Sequence, residues 1–270
     1  MADESDGRLI PAVMGVLNVT PDSFSDGGRW AGAGAVAHGE AMFADGADWV
    51  DVGGESTRPG APPVPAVEQI ARVVPVIGAL AARGTVSVDT ADADVARAAL
   101  GAGATVVNDV SALRDPRMAD VIAAAGAGVV LMHMRGIPAT MQRDTAYDDL
   151  VGEVCAALQA QAERARAAGI ARIWLDPGLG FGKAPGDNPR LIAAVPAFKA
   201  LGFPVLIGAS RKSFIGRLTG RADPADRVAG SVGAAIAAAG AGADVVRVHD
   251  VRETRDALVV WAACREQVRC

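Results

Sequence analysis

The feature that most constrains this chain is a cycle. A short apolar run is stopped by a polar residue, a turn-rich loop follows, then an alanine-rich helical stretch, and the pattern returns from one end of the sequence to the other. Strands are expected at 13–19, 48–52, 86–88, 105–107, 128–132, 173–175, 204–207 and 244–248. Helices are expected at 32–45, 65–82, 92–102, 117–125, 147–168, 188–201, 224–239 and 252–264. Short, wholly apolar runs suit strands buried on both faces, the condition of a parallel sheet covered by helices. About eight strand-then-helix units fill the chain and leave little room for a second domain. The expected fold is therefore α/β: a single-domain (β/α)8 TIM barrel over 12–265, preceded by a flexible N-terminal segment, 1–11. A doubly wound open sheet is the alternative on pattern alone.

Composition narrows the function. The 270 residues are 51% hydrophobic, ample for a large core. A net charge of -5 argues against a general nucleic-acid or anionic-membrane surface, while leaving room for a local basic pocket. Cys155, Cys264 and Cys270 are odd in number and show no CxxC spacing, so neither a disulfide framework nor a zinc site is expected. The first ten residues lack a signal-peptide core, and the Ala/Gly-rich run 228–243 is too weakly hydrophobic to span a bilayer. A soluble, cytoplasmic protein with small-molecule substrates is the expectation.

Polar residues collect where the strands stop: Asn18, Asp89, Asn108, His133, Asp176, Ser210 to Lys212, and Arg247 with His249. In a barrel of this kind the carboxyl ends of the strands carry the active site. Three stretches stand out. In IWLDPGLGFGK, Pro177 cannot continue the strand, so Asp176 stands at its end, either facing a ligand or capping a turn. Gly178, Gly180 and Gly182 fit neither the phosphate-loop nor the dinucleotide fingerprint; they imply unusual torsions or a close approach to a flat ligand. In RVH, strand alternation puts Arg247 and His249 on one face, as an anion clamp or as a buried arginine paired with an acid beside a structural histidine. In GASRKSFIG, no glycine stands two residues after Ser210, which excludes a nucleophile elbow and leaves Lys212 as a donor toward the barrel mouth.

Taken in order, MGVLNVTPDSFSDGG, DVGGESTRPGA, VSVDT, VNDVSAL, LDPGLGFGK, GASRKSFIG and VRVHDV resemble the dihydropteroate synthase family over about 13–258. The resemblance implies a (β/α)8 barrel, usually a homodimer. It also implies a reaction that joins p-aminobenzoate to (7,8-dihydropterin-6-yl)methyl diphosphate, releases pyrophosphate, requires Mg2+ and is inhibited by sulfonamides. By match, Asp176, Asn108, Asp89 and Lys212 hold the pterin, with Met132 and Phe181 among the substrate contacts. Asn18 is the magnesium ligand, and Thr57, Arg247 and His249 contact the diphosphate. The loops carrying Phe24, Asp26, Arg58 and Pro59 close over the substrates as mobile elements, and Ser213 lies near the p-aminobenzoate carboxylate. Asp89, Lys212, Arg247 and His249 are expected to act on the reacting groups, with no side-chain nucleophile. A non-catalytic pterin-binding paralogue and a methyltetrahydrofolate-corrinoid methyltransferase are the alternatives.

Overall fold

A computed structural model describes residues 10–19, 31–56 and 63–266. Its strands are β1 (Ala12–Asn18), β2 (Trp49–Gly53), β3 (Thr85–Asp89), β4 (Val106–Asp109), β5 (Gly128–Met132), β6 (Ile173–Asp176), β7 (Leu206–Ile207) and β8 (Val245–Val248). The helices between and after them are α1 (Ala31–Ala44), α2 (Ala66–Leu80), α3 (Ala93–Gly101), α4 (Met118–Ala124), α5 (Leu150–Ala167), α6 (Asp187–Ala193), α7 (Val195–Lys199), α8 (Ser213–Thr219), α9 (Val228–Gly240) and α10 (Val251–Glu266). All strand pairs are parallel, in the order β6-β5-β4-β3-β2-β1-β8-β7. The ring closes between β6 and β7 through a single bridge, Leu175 to Val205, supported by the Leu175 N–H on the Pro204 carbonyl at 2.9 Å. This is the expected TIM barrel.

Alternation along the strands sorts two cores. Val13, Leu17, Val50, Val52, Val86, Val88, Val107, Val129 and Leu131 point outward, against Val73, Ile77, Leu80, Val95 and Leu158 of the helices. Each such residue contributes roughly 1.5–3 kcal/mol on leaving water. Ala12, Met14, Trp49, Val106, Val130, Leu206 and Val245 form a second cluster with Trp174, the inside of the barrel. Trp49 and Trp174 meet edge to face there, with ring centroids 4.9 Å apart.

Three local features depart from the sequence expectations. The stretch read as one helix over 188–201 breaks at Ala194, because Pro196 has no N–H to donate to the carbonyl four residues back. The stretch 213–219, for which the sequence suggests no element, is α8, too short to show a period and ended by Gly220 at φ 72°. A 3-10 turn, Pro224–Arg227, precedes α9, with the Asp223 side chain accepting the Ala225 N–H at 2.8 Å. Among the described residues no helix is long and apolar enough to cross a membrane.

Candidate active site

On four strands the inward side chain two residues beyond the apolar barrel floor is polar. Asp51 follows Trp49, Asn108 follows Val106, Asp176 follows Trp174, and Arg247 follows Val245. Ser87 and Asp89 follow Thr85 on the inward face of β3, and Asn18 ends β1. The barrel interior thus has an apolar floor and a polar mouth, set by strand period alone.

The centre of the mouth is an ionic network. Arg247 donates through Nε to Asp51 Oδ2 at 2.7 Å and through Nη2 to Asp89 Oδ2 at 2.9 Å. Asp51, fully buried, also accepts from Asn108 Nδ2 at 2.9 Å and from the Ser87 hydroxyl at 2.6 Å. Asp89 Oδ1 is buried without a partner among the described residues. Burial pushes the Asp89 carboxyl up to about 7; Arg247 opposes the rise, and Asp51, Asp109 and Glu55 reinforce it. Asp109, beside Asn108 but facing outward, anchors the strand end by accepting the N–H groups of Ser111 and Leu113 at 2.8 and 2.7 Å.

A second group sits at the seam. Asp176 Oδ1 accepts the Gly178 N–H at 2.7 Å, while no hydrogen bond to Oδ2 occurs among the described residues. Burial raises the Asp176 carboxyl above its ordinary value, against the pull of Lys212, the Gly178 N–H, Arg247 and Lys183. The turn-closing reading of Asp176 is thus seen directly, in the bond from the Gly178 N–H to Oδ1. Lys212 donates to the Leu179 carbonyl and stands 4.8 Å from the Phe181 ring centroid. Burial lowers its ammonium to about 8, with Asp176 opposing. Met132, buried, is the register partner of Asp176.

All three glycines of the 178–183 turn have positive φ, 71°, 81° and 63°. Their close approach is to the chain after β5: a methyl group on Gly178 would lie 1.9 Å from the His133 carbonyl oxygen, and one on Gly182 would lie 2.9 Å from that of Arg135. Lys183, 3% exposed, ties the turn down by donating to the carbonyls of Phe181 at 2.8 Å and Gly178 at 3.1 Å and to His133 Nδ1 at 2.9 Å. Burial and the Lys183 and Arg135 charges drive the His133 imidazole down to about 3, so it accepts from Lys183 as a neutral ring.

His249 directly follows β8, its ring Nδ1 3.0 Å from the Ser210 hydroxyl, which also accepts the His249 N–H at 3.1 Å. Ser213 opens α8 with its side chain exposed, apart from the network. Arg211 points away, held by Asp250. Thr57, Arg58, Pro59, Phe24 and Asp26 lie outside the described residues.

Asp51, Ser87 and Lys183 escaped the sequence reading. A signal for the first two was present: an acid and a serine between valines in buried strands, WVDVG and TVSVD, must find partners on the inner face. Cys155 is half-buried and Cys264 exposed, both free thiols; Cys270 lies outside the described residues.

Residues 14–249 match the family described as "Pterin binding enzyme". The chain is 49% identical to a dihydropteroate synthase of Neisseria meningitidis serogroup B over 263 residues, covering 94% of this chain and 92% of that one. It is 51% identical to that of Mycobacterium leprae over 276 residues, covering 96% and 97%. The solved structure of Xanthomonas albilineans dihydropteroate synthase with 4-aminobenzoic acid superposes with a TM-score of 0.90 at 51% identity, over 95% of this chain and 93% of that one. The same enzyme in complex with 7,8-dihydropteroate superposes with a TM-score of 0.87 at 48% identity, over 96% and 95%.

Proposed function

The chain belongs to the pterin-binding enzyme family, among the dihydropteroate synthases, and on that premise we propose how its residues divide the reaction. The reaction condenses (7,8-dihydropterin-6-yl)methyl diphosphate with p-aminobenzoate to give 7,8-dihydropteroate and pyrophosphate. The observation that carries the division is the buried polar mouth, in which Asp176 and Asn108 each keep an oxygen that no described residue occupies.

A pterin presents adjacent N–H donors along one edge, and Asp176 Oδ2 and Asn108 Oδ1 are the acceptors that meet them. Lys212 donates from the side of Phe181, which lines the pocket with Met132. Asp89, with its unpartnered Oδ1, faces the ring. An arylamine is a weak nucleophile, so the C–O bond to pyrophosphate must break readily. Arg247, through Nη1, and His249 stabilise charge developing on the leaving oxygens, while Asp89 and Asp176 favour positive charge in the pterin. The C–N bond then forms at the methylene, and the amine proton leaves to solvent or pyrophosphate. No covalent enzyme intermediate is needed.

Magnesium fits this mouth. Gly53 sits between β1 and β3, and a methyl group there would lie 3.4 Å from Asn18 Oδ1 and 3.5 Å from Asp89 Cβ, so the missing side chain keeps a polar gap open. A hard amide oxygen with few other protein donors suits a cation that retains waters and binds phosphate oxygens, and Asn18 would hold it. Bound there, the metal would supply neutralisation of the leaving pyrophosphate.

We assign the 57–62 and 20–30 segments, with Thr57, Arg58, Pro59, Phe24 and Asp26, to the diphosphate and p-aminobenzoate contacts, and Ser213 to the p-aminobenzoate carboxylate, on the family match. The same match supports sulfonamides as competitors of p-aminobenzoate, a homodimer in solution and a cytoplasmic location. The test is pyrophosphate release by purified protein given pterin diphosphate, p-aminobenzoate and magnesium. Release that requires all three supports the assignment; release without p-aminobenzoate, or none, overturns it.

A further inference from the structure

We propose that Asp51 is a positioning residue for the reaction: it holds the Asn108 amide with its oxygen toward the pterin and sets the plane in which the Arg247 guanidinium meets the diphosphate. The inference rests on the ligand roles assigned above to Asn108 and Arg247.

Asp51 is wholly buried on the inner face of β2, one layer above Trp49. Its Oδ2 accepts from both Asn108 Nδ2, at 2.9 Å, and Arg247 Nε, at 2.7 Å, and its Oδ1 accepts from Ser87 at 2.6 Å. An ionised carboxylate accepts and cannot donate, so it decides how an amide beside it is turned. With Nδ2 committed to Asp51, Asn108 must present Oδ1 on its other side, the polarity that N–H donors of a ligand require. The guanidinium is planar, so fixing Nε on Asp51 and Nη2 on Asp89 fixes the direction of Nη1 as well. A single buried carboxylate thus orients two groups from different strands, one for each half of the substrate, while touching neither half.

Two replacements separate orientation from charge. Asp51→Asn can place its amide oxygen where Oδ2 stood and donate from its nitrogen to the Ser87 hydroxyl, keeping the geometry without the charge. Asp51→Ala keeps neither. Calorimetric titration with a pterin lacking the diphosphate, and separately with magnesium pyrophosphate, reads the two halves. Asp51→Ala should weaken both ligands by tens of fold, and Asp51→Asn should restore pterin affinity to within a few fold of the parent. In an Arg247→Ala background, Asp51→Ala should cost no further pyrophosphate affinity yet still weaken the pterin.

Parent-like binding of both ligands by Asp51→Ala overturns the proposal, as does a further loss of pyrophosphate binding in the Arg247→Ala background. Should Asp51→Ala fail to fold, Asp51→Asn combined with Ser87→Ala replaces it. That pair frees the new amide to turn, so pterin affinity should fall well below that of Asp51→Asn alone, and equal affinities overturn the proposal. Failure of the underlying site assignment looks different: Asn108→Ala and Arg247→Ala would then bind both ligands like the parent.

Discussion

Gly178 and the carbonyl of His133 pack so closely that no other residue fits between β5 and the turn after β6, since a methyl group would stand 1.9 Å from the oxygen. Gly178→Ala therefore adds a left-handed backbone penalty of about 1–2 kcal/mol to a collision with main chain that only a shift of the turn relieves. The total loss of stability is expected to be roughly 3 kcal/mol or more. Gly186→Ala, with nothing within 4 Å and an ordinary φ of -72°, is the control, at about 0.5 kcal/mol or less. Urea denaturation of the two variants beside the parent checks the pair, and similar losses for both would contradict the packing described.

Asp176→Asn is expected to fold and to bind a pterin poorly. Its amide oxygen would keep the Gly178 N–H, which leaves the NH2 group directed at the donors of the ligand. Opposed donors in a closed pocket cost roughly 2–4 kcal/mol, or tens to hundreds of fold in affinity. Calorimetry with a pterin measures it, and parent-like affinity would remove Asp176 from the pocket.

Pterin affinity should fall as pH rises through about 8, because burial lowers the Lys212 ammonium to about 8 and the charged form is the better donor. The limit is about tenfold per pH unit above that point for a ligand that binds only the charged form. Lys212→Met should bind weakly at every pH and lack this limb. Comparing the two proteins with one ligand cancels the titration of the ligand itself. A parent curve parallel to that of Lys212→Met would show that Lys212 makes no contact.

Folding stability carries a separate signature at His133. Its folded value, about 3, lies below the ordinary 6.5, so between those values the unfolded chain binds the extra proton and stability falls on acidification. From pH 7 to pH 5 the loss approaches about 2 kcal/mol for this group alone. His133→Asn removes it, so the stability gap between parent and variant should narrow by about that amount as the pH drops from 7 to 5. Denaturant unfolding at the two pH values tests the sign as well as the size, and a gap that widens would mean the imidazole is charged in the fold.

Much of this was legible in the sequence because β-strand alternation and strand-end polarity are local properties. The strand at 128–132 was placed to the residue, and the inward direction of Arg247 follows from its alternation with Val246 and Val248. What the sequence hid depends on register between distant strands. That Arg247 pairs with Asp51 and Asp89 requires β8 to lie across the barrel from β3, a separation of 158 residues for the second pair. The helix α8 was hidden for a different reason: seven residues are too few for a period to show, whereas the short β7 falls inside the strand expected at 204–207. Lys183 gives no sign of its role in the sequence because its partners are mostly main-chain carbonyls, which leave no residue pattern.

The one-bridge closure between β6 and β7 gives the ligand a mechanical office. Asp176 ends one side of that joint and Lys212 follows the other, so the barrel is least laced where the pterin would lie between them. A ring hydrogen-bonded to both would serve as the rung that the strands themselves do not provide. Ligand binding and closure of the cylinder would then reinforce each other.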